Sequence, residues 1–184
     1  MYNQNYNILD NKNILKYYMS RTLKKERKER NNNKIMDNKI NKWKKTGKKY
    51  NHHINKFGYR NDCSGFVSYI WGLPSKISKG GPRTRGKGKK NLKYWSTKIN
   101  KNKLRKGDAL LVEFPTHHVV LFDKWANSNK TKYYGYEMCN IKNCRNFKYH
   151  KLNYPYTHKI RPGFKNPLLI RKSKSKINQK VNQK

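Results

Sequence analysis

The chain has 184 residues and a formal net charge of +37, because 46 lysines and arginines stand against only 9 acidic residues. This length suits one modest domain with tails and leaves little room for a second domain. No run approaches the roughly eighteen apolar residues of a membrane span, and the first twenty residues lack the features of a secretory signal. These observations argue against a transmembrane helix and standard export, and we expect a monomer.

The excess of positive charge indicates a polyanion as a partner. Lysine carries most of this charge, with 36 lysines against 10 arginines, and 25 asparagines accompany them. AT-rich codons encode lysine and asparagine, so part of the charge can reflect genome composition. Arginine, whose planar fork suits phosphates and bases, is scarce. We therefore expect any binding of a polyanion to have little sequence preference.

The first segment in chain order, residues 1–49, is predicted to be a basic arm that is partly helical, with fifteen basic and four acidic residues. Asparagines 31–33 are expected to interrupt two helical stretches, and a weakly ordered arm is an equal alternative for residues 20–42. Four apolar residues at helical spacing share one face, either for docking or as part of the core: Ile14, Leu15, Tyr18 and Met19.

Residues 50–170 are predicted to form the folded domain, because they contain most of the glycines, the prolines and the long apolar strings. Within this domain the stretch SGFVSYIW predicts a helix that Gly72 and Pro74 end. The last fourteen residues, 171–184, contain six basic residues, no acid and almost no apolar side chain, so we expect a disordered basic tail. The apolar face of the predicted helix comprises Phe66, Val67, Ile70 and Trp71.

Residues 75–103 are rich in lysine, glycine and serine and are predicted to be a long loop. The densest charge run of the chain lies in this loop and reads KGGPRTRGKGKK. It can be a solvated loop or a surface that contacts a polyanion. In the second case the contact residues are Lys79, Arg83, Arg85, Lys87, Lys89 and Lys90.

Three strands are predicted after this loop, in the stretches LRKGDALLVEF, HHVVLFDKW and KYYGYEMC. The first has a turn and then a continuous apolar run, which is typical of a strand covered on both faces. A helix followed by a strand meander predicts the α+β class, with helices packed against an antiparallel sheet. The period of two gives each later strand one shared face: His118, Val120 and Phe122 in the second, and Tyr133, Gly135 and Glu137 in the third.

The sequence also contains the parts of a nucleophile site, which needs a cysteine, a base and a group that orients the base. Cys63 stands at the predicted helix start, where the helix dipole and backbone N–H groups favour a thiolate and can hold an oxyanion. His118 on a strand can be the base, and Glu137 on the next strand can hold its second ring nitrogen. The pattern leaves open whether His117 or His118 faces the thiol, and whether Cys63 is only a small buried residue.

Several blocks in this order resemble the NlpC/p60 superfamily of papain-like cysteine hydrolases. The stretches NDCSGFV, LRKGDALL, HVVLF and YEMC are similar to the superfamily pattern of Asp-Cys-Ser-Gly-Phe-Val, a Leu-x-x-Gly-Asp strand and then His-Val. The agreement covers about residues 50–156 and is strongest with secreted bacterial members that continue to Trp-Gly-Leu. The resemblance implies a papain-like fold in which the nucleophile helix packs on an antiparallel sheet.

The resemblance also implies roles for the site residues. Cys63 is the nucleophile, and His118 is the base because the family histidine directly precedes the first valine of its strand. Glu137 takes the third position, which is usually His, Asn or Gln. His117 is then a bystander that faces away from the thiol. Three further residues line or shape the cleft: Tyr50, Asp62 and Ser64.

Members of this superfamily typically cut amide bonds in bacterial cell-wall peptides, notably the bond between D-γ-glutamate and a diamino acid. The resemblance therefore implies a hydrolase that acts on a peptide or cell-wall-type substrate without a cofactor, while some relatives use the same site on lipids. We expect no metal, since His52–His53 and CNIKNC lack the spacing of a zinc site. Three cysteines are too few for a disulfide framework and favour a reducing compartment, with a Cys139–Cys144 bridge left open.

Two features depart from this family. Its secreted members have a signal that is not seen here, and residues 50–170 contain 25 basic against 5 acidic residues. The alternative is therefore a highly basic nucleic-acid-binding protein built on a hydrolase scaffold. Codon bias, the missing signal and the bacterial-looking domain together favour an acquired gene in an AT-rich host such as a large DNA virus or a protist. We accordingly expect an intracellular or virion-packaged protein.

Overall fold

A computed structural model of the chain describes residues 5–47, 49–112, 117–140, 146–155 and 168–173. Contacts divide the chain into two compact units, Met1–Asn38 and Lys39–Lys184. The sequence places the start of the folded domain at residue 50, whereas the second unit begins earlier. The reason is that two apolar side chains ahead of residue 50 are buried in it, those of Ile40 and Trp43.

The described residues of the first unit all belong to the helix α1, Asn5–Lys44. The last six residues of α1 belong to the second unit. The prediction that asparagines 31–33 interrupt the helix is wrong. Asparagine costs only about 0.7 kcal/mol relative to alanine in a helix, and the flanking lysines, arginines and glutamates are good helix formers. The apolar residues that share one face of α1 are exposed, so they join no core in the described part of the chain: Ile14, Leu15, Tyr18 and Met19.

The helix predicted around the cysteine is confirmed as α2, Cys63–Trp71. Asp62 caps its N-terminus by accepting a hydrogen bond from the Gly65 N–H at 2.6 Å. Gly72 ends it with φ of 63°, a left-handed conformation that glycine adopts without a steric penalty. The predicted apolar face is buried in full: Phe66, Val67, Ile70 and Trp71.

An antiparallel sheet, with α2 packed against it, is the main regular element of the described part of the second unit. Its strands are β1 (Ser96–Lys98), β2 (Ala109–Val112), β3 (His118–Trp125), β4 (Lys132–Met138), β5 (Phe147–Asn153) and β6 (Leu168–Lys172). Their spatial order is β1-β6-β2-β3-β4-β5, and α2 contacts β3 and β4. The predicted α+β class is confirmed as a mixture of helices and an antiparallel sheet. Among the described residues, every helix is too short or too polar to cross a membrane.

The sequence predicts β2, β3 and β4 but misses the other three strands. All four residues of β2 are buried, as its continuous apolar run predicts. By contrast, β5 reads FKYHKLN and is mostly exposed or half-buried, so it shows no clean apolar alternation. With only three residues, β1 is too short to produce a pattern.

The predicted loop 75–103 contains more structure than its composition suggests. It includes three short 3₁₀ turns, Gly88–Lys90, Leu92–Trp95 and Lys101–Lys103, in addition to β1. The side chains of Leu92 and Trp95 are buried. These two residues are three positions apart and lie on one face of a 3₁₀ turn, so they anchor the segment in the core.

The predicted tail, 171–184, begins inside the fold, because Arg171 and Lys172 belong to β6. The Arg171 guanidinium donates two hydrogen bonds to the Asp108 carboxylate, both at 2.7 Å. Such a bidentate charged pair is among the stronger hydrogen-bonded contacts. The rest of the predicted tail, residues 174–184, lies outside the described residues.

Candidate active site

The start of α2 is shaped by one carboxylate with several partners. Asp62 Oδ1 accepts hydrogen bonds from the Gly65 N–H at 2.6 Å and from the Ser64 hydroxyl at 2.8 Å. Position 65 has no room for a side chain, since a Cβ there would lie 2.0 Å from the carbonyl oxygen of Arg60. Asp62 and Ser64, which the resemblance places in the cleft, thus set the backbone on which Cys63 sits.

Arg60 supports the start of α2 through hydrogen bonds to Asp62 and Ser64. The sequence did not indicate this role. The Arg60 side chain is buried, and its Nε donates to Asp62 Oδ2 at 2.8 Å while Nη2 donates to the Ser64 hydroxyl at 3.1 Å. The guanidinium therefore ties the charged loop to α2. The feature of the sequence that could have indicated it is the position of Arg60, two residues before Asp62 of the Asp-Cys-Ser-Gly motif. Its remaining partners are backbone carbonyl oxygens of the loop, those of Ser78, Lys79, Gly81 and Pro82.

The Asp62 carboxyl is ionised although it is buried. Burial acts to raise its pKa, but the charge of Arg60 and the hydrogen bonds from Gly65, Ser64 and Arg60 outweigh burial and lower the pKa below its usual value. A buried negative charge therefore stands directly beside the cysteine.

Cys63 is a buried, free thiol. Burial, followed by the charge of Asp62, raises the pKa of Cys63 to about 12, and the backbone N–H groups of Ser64 and of Val119 on β3 oppose the rise. Burial, followed by the charge of Cys63, in turn raises the pKa of Tyr50. Burial, which disfavours any charged form, therefore outweighs the N–H groups that favour the thiolate at the helix start.

His118 and Glu137 form a buried pair on neighbouring strands. His118 is the first residue of β3, a strand that contacts α2. Its Nε2 donates to Glu137 Oε2 at 2.5 Å, and Glu137 is 0 % exposed. Cys63 begins α2, and α2 packs against β3 and β4, the two strands that carry His118 and Glu137.

A second histidine, His150 on β5, also binds Glu137, and the sequence analysis missed it. His150 Nε2 donates to Glu137 Oε1. The register pairs Gly135 with His150, so His150 and Glu137 are diagonal neighbours across the two strands. No sequence signal identified this residue, because β5 itself lacks a strand pattern.

The neighbouring histidine, His117, differs from His118 in its surroundings. Its φ is 46°, a left-handed conformation that is uncommon outside glycine. Its Nδ1 is buried without a hydrogen-bond partner among the described residues. Since His118 has the buried carboxylate as its partner, the geometry favours His118 as the base of the pair.

The residues predicted to contact a polyanion lie mostly on the surface. Arg83 is half-buried, and burial, followed by the charge of Arg60, lowers its pKa. This electrostatic influence places Arg83 near the start of α2. The other five side chains are exposed: Lys79, Arg85, Lys87, Lys89 and Lys90.

Among the residues that the structure describes, no cluster of three His, Cys, Asp or Glu is arranged to hold a metal ion. His52 instead lies with its Nδ1 3.3 Å from Asp62 Oδ2. Cys139 is disulfide-bonded, whereas the sequence favours reduced cysteines and leaves a Cys139–Cys144 bridge open; Cys144 lies outside the described residues.

Comparisons with protein-family models, with curated proteins and with solved structures find no match to this chain. The resemblance to the NlpC/p60 superfamily therefore stays a prediction.

Proposed function

We propose that the protein is a cysteine hydrolase of papain-like NlpC/p60 fold that cleaves an amide bond in peptidoglycan-type peptides. One observation carries this proposal: a fully buried Glu137 binds His118, and both lie on strands that pack against the helix that begins with Cys63. Burying a carboxylate costs several kcal/mol of desolvation, to order of magnitude. A cysteine that only fills space would not require such a pair beside it. The substrate class rests on the resemblance.

The reaction would begin from a neutral thiol. Because burial raises the pKa of Cys63 to about 12, the thiol is protonated at pH 7. Attack on an amide therefore needs a base, and His118 Nδ1 takes the thiol proton while the sulfur bonds to the carbonyl carbon. Glu137 then stabilises the imidazolium through a charge-assisted hydrogen bond, worth about 1.5–3 kcal/mol.

The tetrahedral intermediate carries its negative charge on the former carbonyl oxygen. Backbone N–H groups near Cys63 would stabilise this oxyanion. His118 next gives its proton to the amide nitrogen, so that the C–N bond breaks and an amine leaves. Water, deprotonated by His118, attacks the thioester that remains, which releases a carboxylic acid and restores the Cys63 thiol.

The test is hydrolysis of γ-D-glutamyl-diamino-acid peptides, followed by mass spectrometry. The wild-type protein should release the diamino-acid fragment, and Cys63→Ala should reduce its release to background, because the acyl group then has no sulfur to bond to. His53→Gln, which removes an exposed imidazole elsewhere, should cleave like the wild type. Equal cleavage by wild type and Cys63→Ala would refute the proposal for this substrate class.

Binding of nucleic acid or another polyanion is a second candidate function. It is favoured by the exposure of five cationic side chains in one charged loop, together with the net charge of +37. Hydrolysis and polyanion binding use different residues, so both can belong to the same protein.

A further inference from the structure

Glu137 is shared between two histidines, and the proposed mechanism uses only one of them. Its Oε2 accepts from His118 Nε2, and its Oε1 accepts from His150 Nε2. Glu137 is fully buried, whereas the His150 side chain is 31 % exposed. The second histidine therefore connects a buried catalytic carboxylate with the solvent.

The position of His150 follows from the pairing of β4 with β5. The residue opposite His150 is Gly135, where a Cβ would lie 2.7 Å from Val120 Cγ1. Because no side chain stands at that position, His150 can reach diagonally to Glu137. With both oxygens held by imidazoles, the carboxylate is confined to one orientation.

We propose that His150 is a positioning residue for the base of the site, acting through Glu137. It holds Oε1 so that Oε2 faces His118, and it competes with His118 for the single negative charge of the carboxylate. A neutral His150 leaves this charge to the His118 imidazolium. A protonated His150 shares the charge, so His118 binds a proton less readily. This inference rests on the proposed function and adds a pH-dependent control of the same site.

Among the described residues, other ionisable groups near Glu137 differ from His150 in the pH at which their charge changes. Burial, followed by the charge of Glu137, raises the pKa of Tyr133 on β4, and burial raises the pKa of Cys63 on α2 to about 12. Lys148, the register partner of Glu137 on β5, adds a positive charge. Histidine is the side chain whose charge ordinarily changes between pH 5 and 8, so the two histidines set the pH dependence of this cluster.

The test is the rate at which iodoacetamide alkylates Cys63 between pH 5 and 9, read by mass spectrometry of the Cys63 peptide. His150→Gln keeps a neutral donor for Glu137 but cannot be protonated. Since His118 then holds its proton to higher pH, the acid limb of the profile should move up by about one pH unit. His150→Phe removes the hydrogen bond from His150 to Oε1 and should slow alkylation at pH 7 about tenfold or more.

Two comparisons keep this test decisive. His53→Gln should reproduce the wild-type profile. A His150→Gln profile that superimposes on the wild type would overturn the role of His150 and leave the proposed function intact. If wild-type Cys63 reacts no faster than Cys63 in His118→Ala, the proposed function itself fails.

Discussion

At the scale of single residues, Arg60 explains how a loop full of cations is held against the helix of the nucleophile. Its side chain is 1 % exposed, and a buried charge is tolerated only when it is paired and hydrogen-bonded. Asp62 supplies the counter-charge, while Ser64 and carbonyl oxygens of the loop take the remaining donors. The Asp-Cys-Ser-Gly motif therefore depends on an arginine that precedes it.

Replacing Asp62 by Asn should destabilise the protein by about 3–5 kcal/mol at pH 7, because it removes one partner of a buried ion pair. The pKa of Asp62 is lowered in the folded state, so its stabilising effect is complete above the unfolded-state pKa of about 3.9 and declines as the pH falls through the lower folded value. Urea unfolding at pH 7 and pH 3 should therefore show a smaller difference between wild type and Asp62→Asn at pH 3.

The control for this prediction is Glu26→Gln on α1, whose side chain is 54 % exposed. It should change the free energy of unfolding by less than about 0.5 kcal/mol at either pH. If the cost of Asp62→Asn were the same at pH 3 as at pH 7, the ion pair would not be its cause.

The residues of the site differ in how far the sequence reveals them. Cys63, His118 and Glu137 are indicated by a helix start and two strands with a period of two, because these are local patterns. His150 is not, since its role depends on the register between β4 and β5. The raised pKa of Cys63 is likewise a property of burial, which arises from tertiary packing and outweighs the local effect of the helix.

At the scale of elements, α1 changes character toward its C-terminus. The Trp43 ring packs against Phe66 and Tyr69, with centroid distances of 5.5 and 5.4 Å. Lys39 Nζ donates to the carbonyl oxygens of Tyr69 and Ile70 near the end of α2, where free carbonyls and the helix dipole favour a cation. The last turns of α1 therefore belong to the second unit. The sequence did not indicate this, because lysines surround Trp43.

The strands show the same division between local and tertiary information. The sequence predicts β2 and β3 because their apolar runs are long. It predicts β4 from the stretch KYYGYEMC. It cannot predict β1 or β5, since one is three residues long and the other is mostly polar. Their conformation comes from pairing with β6 and β4.

Replacing Trp43 by Ala should cost about 3–5 kcal/mol of unfolding free energy, because it removes a side chain that is 1 % exposed and leaves a cavity. Urea unfolding followed by circular dichroism measures this loss. Leu23→Ala, at an exposed position of α1, should change stability by less than about 0.5 kcal/mol. Comparable losses for the two variants would contradict the assignment of Trp43 to the core.

At the scale of the whole molecule, the net charge of +37 predicts binding to polyanions that weakens with salt. For duplex DNA, each phosphate neutralised contributes about −0.9 to the slope of log affinity against log salt. Replacing Lys87, Lys89 and Lys90 by Gln should therefore make the slope shallower by about 0.9 for each lysine in contact. Fluorescence anisotropy with labelled duplex DNA at several salt concentrations measures the slope.

A matched variant separates a binding loop from general charge. Lys24, Lys25 and Lys28 on α1 are also exposed, and replacing all three by Gln removes the same total charge. If the charged loop is the contact surface, the loop variant should change the slope more than the α1 variant. Equal changes would mean that the loop is not a specific contact surface.

If His118 activates Cys63, the thiol should react with an alkylating agent at pH 7. This reaction tests the role of His118 without any choice of substrate. A buried thiol with a pKa of about 12 is almost unreactive by itself, so measurable alkylation reports the base. Iodoacetamide should modify Cys63 about a hundredfold or more faster in the wild type than in His118→Ala. Equal rates in the two proteins would contradict it.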